Sequence, residues 1–220
     1  MTDSIINING DNIQALEILF ITTLISLAPS LVVMMTSFGR YIISLSFLRS
    51  ALGTQQSPPN VVITGIALFL TLFTMAPVLT EINETAYQPY AQEEIGQEQF
   101  LERAAIPLKE FMLRNTESKT LDMFCELAKV EPVSGEEAMD LSIWIIVPAF
   151  MTCELKQAFF TGFLLYIPFT LIDIIVASTL MSMGMVMLPP AMISMPFKLL
   201  LFISVNGWDL VFSTLIRDIN

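Results

Sequence analysis

Histidine is absent from this 220-residue chain, and charged residues make up only 14% of it. Without histidine, the chain cannot form a Ser-His-Asp triad, a His-ligated zinc site or an imidazole proton relay. The two cysteines, Cys125 and Cys153, lie in regions of different character, so we predict no disulfide and no metal site. Catalysis would then depend on isolated carboxylates, so we expect neither an enzyme nor a cofactor.

Basic residues are also scarce, because 10 Lys and Arg stand against 21 Asp and Glu, for a net charge of −11. This acidity argues against nucleic acid or an anionic membrane surface as a partner. Hydrophobic residues make up 54% of the chain. Its charged fraction of 14% is well below the value of about 25% that is usual in a soluble domain. The composition predicts a membrane-associated protein.

Apolar runs divide the chain, and we predict an all-α fold of two membrane-associated hairpins around a polar insert. The first hairpin falls in region 1–80, the insert in 81–141 and the second hairpin in 142–220. Glu154 and Lys156 should interrupt the third apolar run. The expected apolar runs are 18–39, 61–79, 141–172 and 174–197, with a final stretch at 199–208.

Prolines complicate these runs, because seven of the 12 lie in or at them. Proline removes a backbone hydrogen bond, so we expect kinked or broken helices that neighbouring subunits cover. Ordinary membrane-helix proline is the alternative. The seven are Pro29, Pro77, Pro148, Pro168, Pro189, Pro190 and Pro196.

The insert has a different character, since residues 81–140 carry 14 acidic and 5 basic residues. Apolar positions at helical spacing predict one helix around 100–112 and another around 121–130. Arg40 and Arg49 lie in the preceding connection, which indicates that this connection is cytoplasmic. The acidic N-terminus and the insert should then lie outside the cytoplasm. Met1 to Asn12 lacks Lys and Arg, so either the first apolar run is an anchor or a leader is absent from this sequence.

Methionines cluster next to a glycine and a double proline within residues 180–190. Gly184, Pro189 and Pro190 should break the helix there, and lipid cannot satisfy the freed backbone groups. Flexible methionine side chains can close a gap that changes shape, so the pattern indicates a deformable apolar constriction. The alternative is that they pack or face lipid. The candidate residues are Met183, Met185 and Met187.

Five ionisable residues lie among or beside the apolar runs: Arg40, Glu154, Lys156, Asp173 and Lys198. Glu154 and Lys156 are two positions apart and cannot face each other on a helix, so each needs a partner elsewhere. Charges at such depth are costly, and they are either paired or functional unless they reach an interface.

The longest distinctive motifs are PAFMTCELKQAF and PFKLLLF, the second followed by NGW. They resemble the first and second signatures of the FliP family of the flagellar type III export apparatus, which is related to the R proteins of virulence secretion systems. The stretch PLKEFMLR favours the flagellar branch. The matching stretches are 34–40, 48–54, 58–60, 86–90, 107–114, 148–159, 196–202 and 206–208.

The resemblance implies a subunit of a helical ring in the bacterial inner membrane and flagellar basal body. About five copies would assemble with FliQ and FliR, meet FlhB and FlhA, and pass unfolded flagellar proteins out of the cytoplasm. Met185 and Met187 match gasket residues that close the pore, and Glu154 matches a residue of the subunit contacts.

The chain departs from the family pattern at three positions. Val186 replaces the middle of three methionines, Cys153 stands where a hydroxyl is usual, and Asn206 stands where aspartate is common. Two alternatives remain. One is the R subunit of a virulence system. The other is a small-solute or ion transporter, which should show inverted repeats that we do not find between the halves.

Overall fold

The computed structural model describes residues 6–8, 11–13, 15–54, 56–133, 135–185 and 187–219. The fold is almost entirely helical, as predicted, with one short antiparallel ribbon near the N-terminus that the sequence did not reveal. A π-helical turn, Asn83–Tyr87, and a 3₁₀ segment, Gly135–Asp140, complete the described elements. The others are β1 (Ile6–Ile8), β2 (Asp11–Ile13), α1 (Ala15–Met35), α2 (Phe38–Leu52), α3 (Asn60–Ile82), α4 (Gln88–Ala91), α5 (Gln97–Arg114), α6 (Ser118–Leu127), α7 (Ile143–Ser182), α8 (Pro190–Ser204) and α9 (Gly207–Arg217).

Two helices in the described ranges are long and apolar enough to cross a membrane. One is the continuous stretch Asn60–Ala91, and the other is α7. Two bent pairs raise the number to as many as four: Pro29–Met35 meets α2 at 81°, and α8 meets α9 at 68°. Broken helices are present as predicted, but neither bend lies at a proline, since the first falls between Met35 and Phe38 and the second between Ser204 and Gly207.

The predicted interruption of the third apolar run is wrong. α7 continues for 40 residues through Glu154, Lys156 and Asp173, and at 1.5 Å per residue it is about 60 Å long. These charges do not end the helix, because Glu and Lys are good helix formers and each charged side chain forms an ion pair to the side of the helix axis.

α2 lies at the centre of the fold and packs along α7, with the two helices running in the same direction. It buries Tyr41, Leu45 and Leu48 at helical spacing, in a core that α3, α7, α8 and α9 also line. The Phe47 side chain lies over Gly162 of α7, where an added Cβ would come within 2.5 Å of the ring. A glycine at this position therefore sets the close approach of the two helices.

The insert forms a second core with the end of α3 and the start of α7. Met112 of α5 and Cys125 of α6 are fully buried there against Ile146 and Phe150. The predicted second helix ends at Leu127 rather than 130, because Lys129 adopts a left-handed φ of 59°. The N–H of Val130 then donates to the Cys125 carbonyl oxygen at 2.9 Å and closes the helix end.

Candidate functional site

The Met segment, residues 183–189, joins α7 to α8, and Val186 within it lies outside the described residues. Gly184 adopts a φ of 75°, and its N–H donates to the Met181 carbonyl oxygen at 3.0 Å. The N–H of Met185 donates to the Leu180 carbonyl oxygen, also at 3.0 Å. This pair of hydrogen bonds is a Schellman motif, which needs glycine in the left-handed position. The predicted helix break is confirmed.

The methionines of this segment point away from the chain's own cores. Met183 is 67% exposed, Met185 40% and Met187 97%. Their side chains are therefore available to contact another chain, lipid or water. Met187 and Met183 add little to the packing of one copy, whereas Met185 is partly covered by its own chain.

A groove of about 480 Å³ lies between the two arms of the α7–α8 hairpin below this segment. Its walls are apolar apart from one threonine, and three of the seven lining residues are exposed, whereas Leu180 is buried. The arms are therefore not closely packed near the tip. The lining residues are Ile172, Ile175, Val176, Thr179, Leu180, Ile193 and Phe197.

The most buried ion pair joins Arg40 of α2 to Glu154 of α7, whose side chains are 3% and 2% exposed. Arg40 Nε donates to Glu154 Oε2 at 3.1 Å, and Nη2 donates to Oε1. Arg40 Nη1 donates to the backbone carbonyl oxygen of Asp218 at 2.8 Å. One guanidinium thus binds a carboxylate with two parallel hydrogen bonds and also holds the end of α9.

Arg40 does not lie in a loop, as the orientation argument assumed. It lies within α2 and is buried, so its charge cannot mark a cytoplasmic connection. Arg49 remains near the α2–α3 loop, where Nη1 donates to Asn60 Oδ1 at 2.5 Å. The side of the membrane on which the insert lies stays a prediction.

Lys156 is 62% exposed at its side chain, so the expectation of a buried charge is wrong at this position. Its Nζ lies 2.7 Å from both carboxylate oxygens of Glu117, the residue before α6. The N–H of Glu117 also donates to Cys153 Sγ at 3.3 Å. Cys153 therefore accepts a hydrogen bond where the family resemblance leads us to expect a hydroxyl. α7 uses both residues to hold the insert.

Lys198 and Asp173 join the arms of the hairpin, with Lys198 Nζ 2.7 Å from Asp173 Oδ2. Lys198 Nζ also donates to the Ala51 carbonyl oxygen at 3.0 Å, and Ser194 Oγ donates to Asp173 Oδ1 at 2.6 Å. The Lys198 side chain is 7% exposed, but that of Asp173 is 42% exposed and is not buried as expected. The Asp173 carboxylate lies at the rim of the hairpin and is only partly covered by the described residues.

The sequence indicated the charged residues but not their partners. Glu117, Ser194 and the carbonyl oxygens of Ala51 and Asp218 were all missed. Ser194 had a signal, since it precedes Lys198 by one helical turn and faces the same side. No sequence signal identified the carbonyl oxygens of Ala51 and Asp218, because every residue has a backbone carbonyl group.

Comparisons with known proteins identify the family of this chain. The model of the FliP family matches residues 21–215. The flagellar biosynthetic protein FliP of Aquifex aeolicus (strain VF5) is 47% identical over 95% of this chain and 87% of its own length. The protein of the same name from Bacillus subtilis (strain 168) is 46% identical over 93% of this chain and 92% of its own length. The chain belongs to the FliP family.

Proposed function

We propose that this protein is a pore-forming subunit of the flagellar type III protein export gate. Family membership supports a place in the flagellar export apparatus. In the proposed assembly, about five copies form a ring with FliQ and FliR in the inner membrane and basal body, next to FlhB and FlhA. Unfolded flagellar proteins pass through this ring.

The observation that carries the pore role is the exposed Met segment at the tip of the hairpin. Met187 adds little to the packing of its own subunit, since it is 97% exposed, and Met185 is 40% exposed. Rotational symmetry would bring the copies of this segment together around one axis. Their flexible, polarizable side chains would close on one another at rest and part around an exported chain.

Exposed apolar side chains support assembly with other chains. One stripe follows α7 at helical spacing, and its members are at least half exposed. A contiguous apolar surface of this kind marks contact with protein or lipid. The Arg40–Glu154 pair supports the subunit contacts indirectly, because it fixes the helix that presents the stripe. The stripe consists of Phe160, Phe163, Ile167, Leu171 and Ile174.

Alanine at both Met185 and Met187 tests the proposed seal, because it removes bulk without adding charge. We expect the ring to assemble and to leak small ions across the membrane, measured as conductance in the absence of an export substrate. Leucine at both sites should retain much of the seal, since Leu and Met have similar volumes.

The control is Met123→Ala, which truncates a 43% exposed methionine of the insert. It should leave the conductance at the wild-type level. If the double alanine ring assembles and leaks no more than the wild-type ring, the Met segment does not seal a pore.

A further inference from the structure

Three side chains and one carbonyl oxygen hold the base of the α7–α8 hairpin. We propose that Asp173, Ser194 and Lys198 form a clamp that positions the Met segment by fixing the hairpin to the end of α2. That the clamp positions the Met segment rests on the function proposed for that segment. That the clamp holds the hairpin to α2 can be measured separately. None of the three side chains is proposed to touch the exported chain.

The clamp joins three helices through one buried ammonium group. Lys198 of α8 binds Asp173 of α7 at 2.7 Å and the Ala51 carbonyl oxygen of α2 at 3.0 Å. Ala51 lies in the last turn of α2, where carbonyl groups have no partner within the helix. A cation is also favoured there by the helix dipole. Gly53 ends α2, and Lys198 satisfies a free carbonyl of its last turn and fixes the hairpin to it with the same group.

The arms beyond the clamp are held much less firmly. Along the helix axes, Asp173 and Lys198 lie about 12–14 Å from the Met segment, nine residues before the end of α7 and eight after the start of α8. Ser194 lies closer, four residues or about 6 Å from the start of α8. The groove of about 480 Å³ separates the arms over this distance. Ile175 is 57% exposed, Phe197 56% and Met192 72%. Packing between the arms thus does little to fix the tip, and the clamp is the anchored point from which it extends.

The unequal burial of the ion pair indicates which substitution to make. Removing Asp173 would leave the buried charge of Lys198 without its carboxylate, and the chain could fail to fold for that reason alone. Lys198→Met removes the buried charge and keeps the bulk. The remaining Asp173 carboxylate is 42% exposed and can be solvated. Lys198→Met therefore tests the clamp with the smaller disturbance.

The experiment is amide hydrogen exchange on the full chain in its assembled ring, with ion conductance measured in parallel. In Lys198→Met, we expect exchange to rise about 10- to 100-fold in residues 174–182 and 190–197. Residues 143–162 should keep their wild-type exchange. The conductance should lie between those of the wild-type and the double alanine rings, because the Met segment is still present but poorly placed.

The matched control is Lys156→Met, which removes a lysine ion pair from the same helix region at an exposed site. It should change neither exchange in the arms nor conductance. The charge reversal Asp173→Lys with Lys198→Asp restores the pair between the arms but leaves the Ala51 carbonyl without a donor. Exchange in the arms should then return towards wild type, whereas exchange in the last turn of α2 should stay elevated. A general structural defect would not separate these two regions.

Wild-type exchange in the arms of Lys198→Met would overturn the clamp. If that variant does not assemble, Ser194→Ala decides the matter, because it removes a single hydrogen bond to Asp173. Exchange in the arms about 3- to 10-fold faster supports the clamp, and unchanged exchange overturns it. If the double alanine ring does not leak but exchange in Lys198→Met rises as expected, the proposed pore seal is wrong, whereas the mechanical role of the clamp is supported.

Discussion

The first half of α7, residues 143–162, is held on several sides, whereas the second half, residues 163–182, is open along most of its length. Nine residues of the first half are buried, compared with Phe169 and Leu180 in the second. Both halves are apolar, so composition does not explain the difference. The neighbours do, because α2 and the insert cover the first half. One continuous helix therefore combines an anchored half with a half that its own chain leaves largely uncovered.

The largest effect is expected from a substitution in the anchored first half of α7. Glu154→Ala leaves the buried Arg40 guanidinium without its carboxylate, and removing one member of such a pair costs about 3–5 kcal/mol. We expect ring recovery from solubilised membranes to fall strongly while some monomer stays in the membrane. Lys156→Ala, at the exposed pair on the same helix, should leave recovery near wild type. Normal ring yield and secretion in Glu154→Ala would show that the pair is dispensable.

A smaller effect should come from Gly162→Ala in the same half. The added methyl group meets the Phe47 ring at 2.5 Å, and overpacking of this kind costs about 1–3 kcal/mol. The melting temperature of the detergent-solubilised protein should fall. Phe47→Leu in the Gly162→Ala background should recover part of the loss, because it removes the atoms that collide. A melting temperature equal to that of wild type would mean that α2 and α7 can move apart freely.

The smallest effect is expected at the open end, where Gly184→Ala places a side chain at a φ of 75°. The strain is about 1–2 kcal/mol, but it falls on a turn outside both hydrophobic cores, so we expect the global melting temperature to stay unchanged. Amide exchange at Met185 should rise, because its hydrogen bond to Leu180 depends on the turn. Gly65→Ala in α3 is the control, since within the described residues no atom comes within 4 Å of its added Cβ. If Gly184→Ala lowers the melting temperature as much as Gly162→Ala does, the open end contributes to global stability as much as the anchored half.

The sequence predicted those features that depend on neighbouring residues in the chain. The break after Ser182 follows from Gly184 and the double proline, and the insert helices follow from apolar spacing. The continuity of α7 was missed because Glu154 looked like an interruption. Its partner, Arg40, lies 114 positions earlier, and no local pattern connects the two.

Other errors have the same origin. Arg40 was assigned to a connection because it directly follows the apolar run 18–39, whereas the structure places the bend of 81° earlier, between Met35 and Phe38. Its burial depends on α7 and on the backbone of Asp218, neither of which is visible locally. The roles of the Met segment and of the charged residues in an assembled ring depend on other chains, so they remain predictions.

The third hydrogen bond of Arg40 has a consequence for the order of biosynthesis. Arg40 and Glu154 can pair once the first half of α7 has left the ribosome. The carbonyl of Asp218 that completes the guanidinium's set of acceptors is synthesised 64 residues after Glu154. The full set of acceptors that the guanidinium has in the structure can therefore form only after α9 has been synthesised.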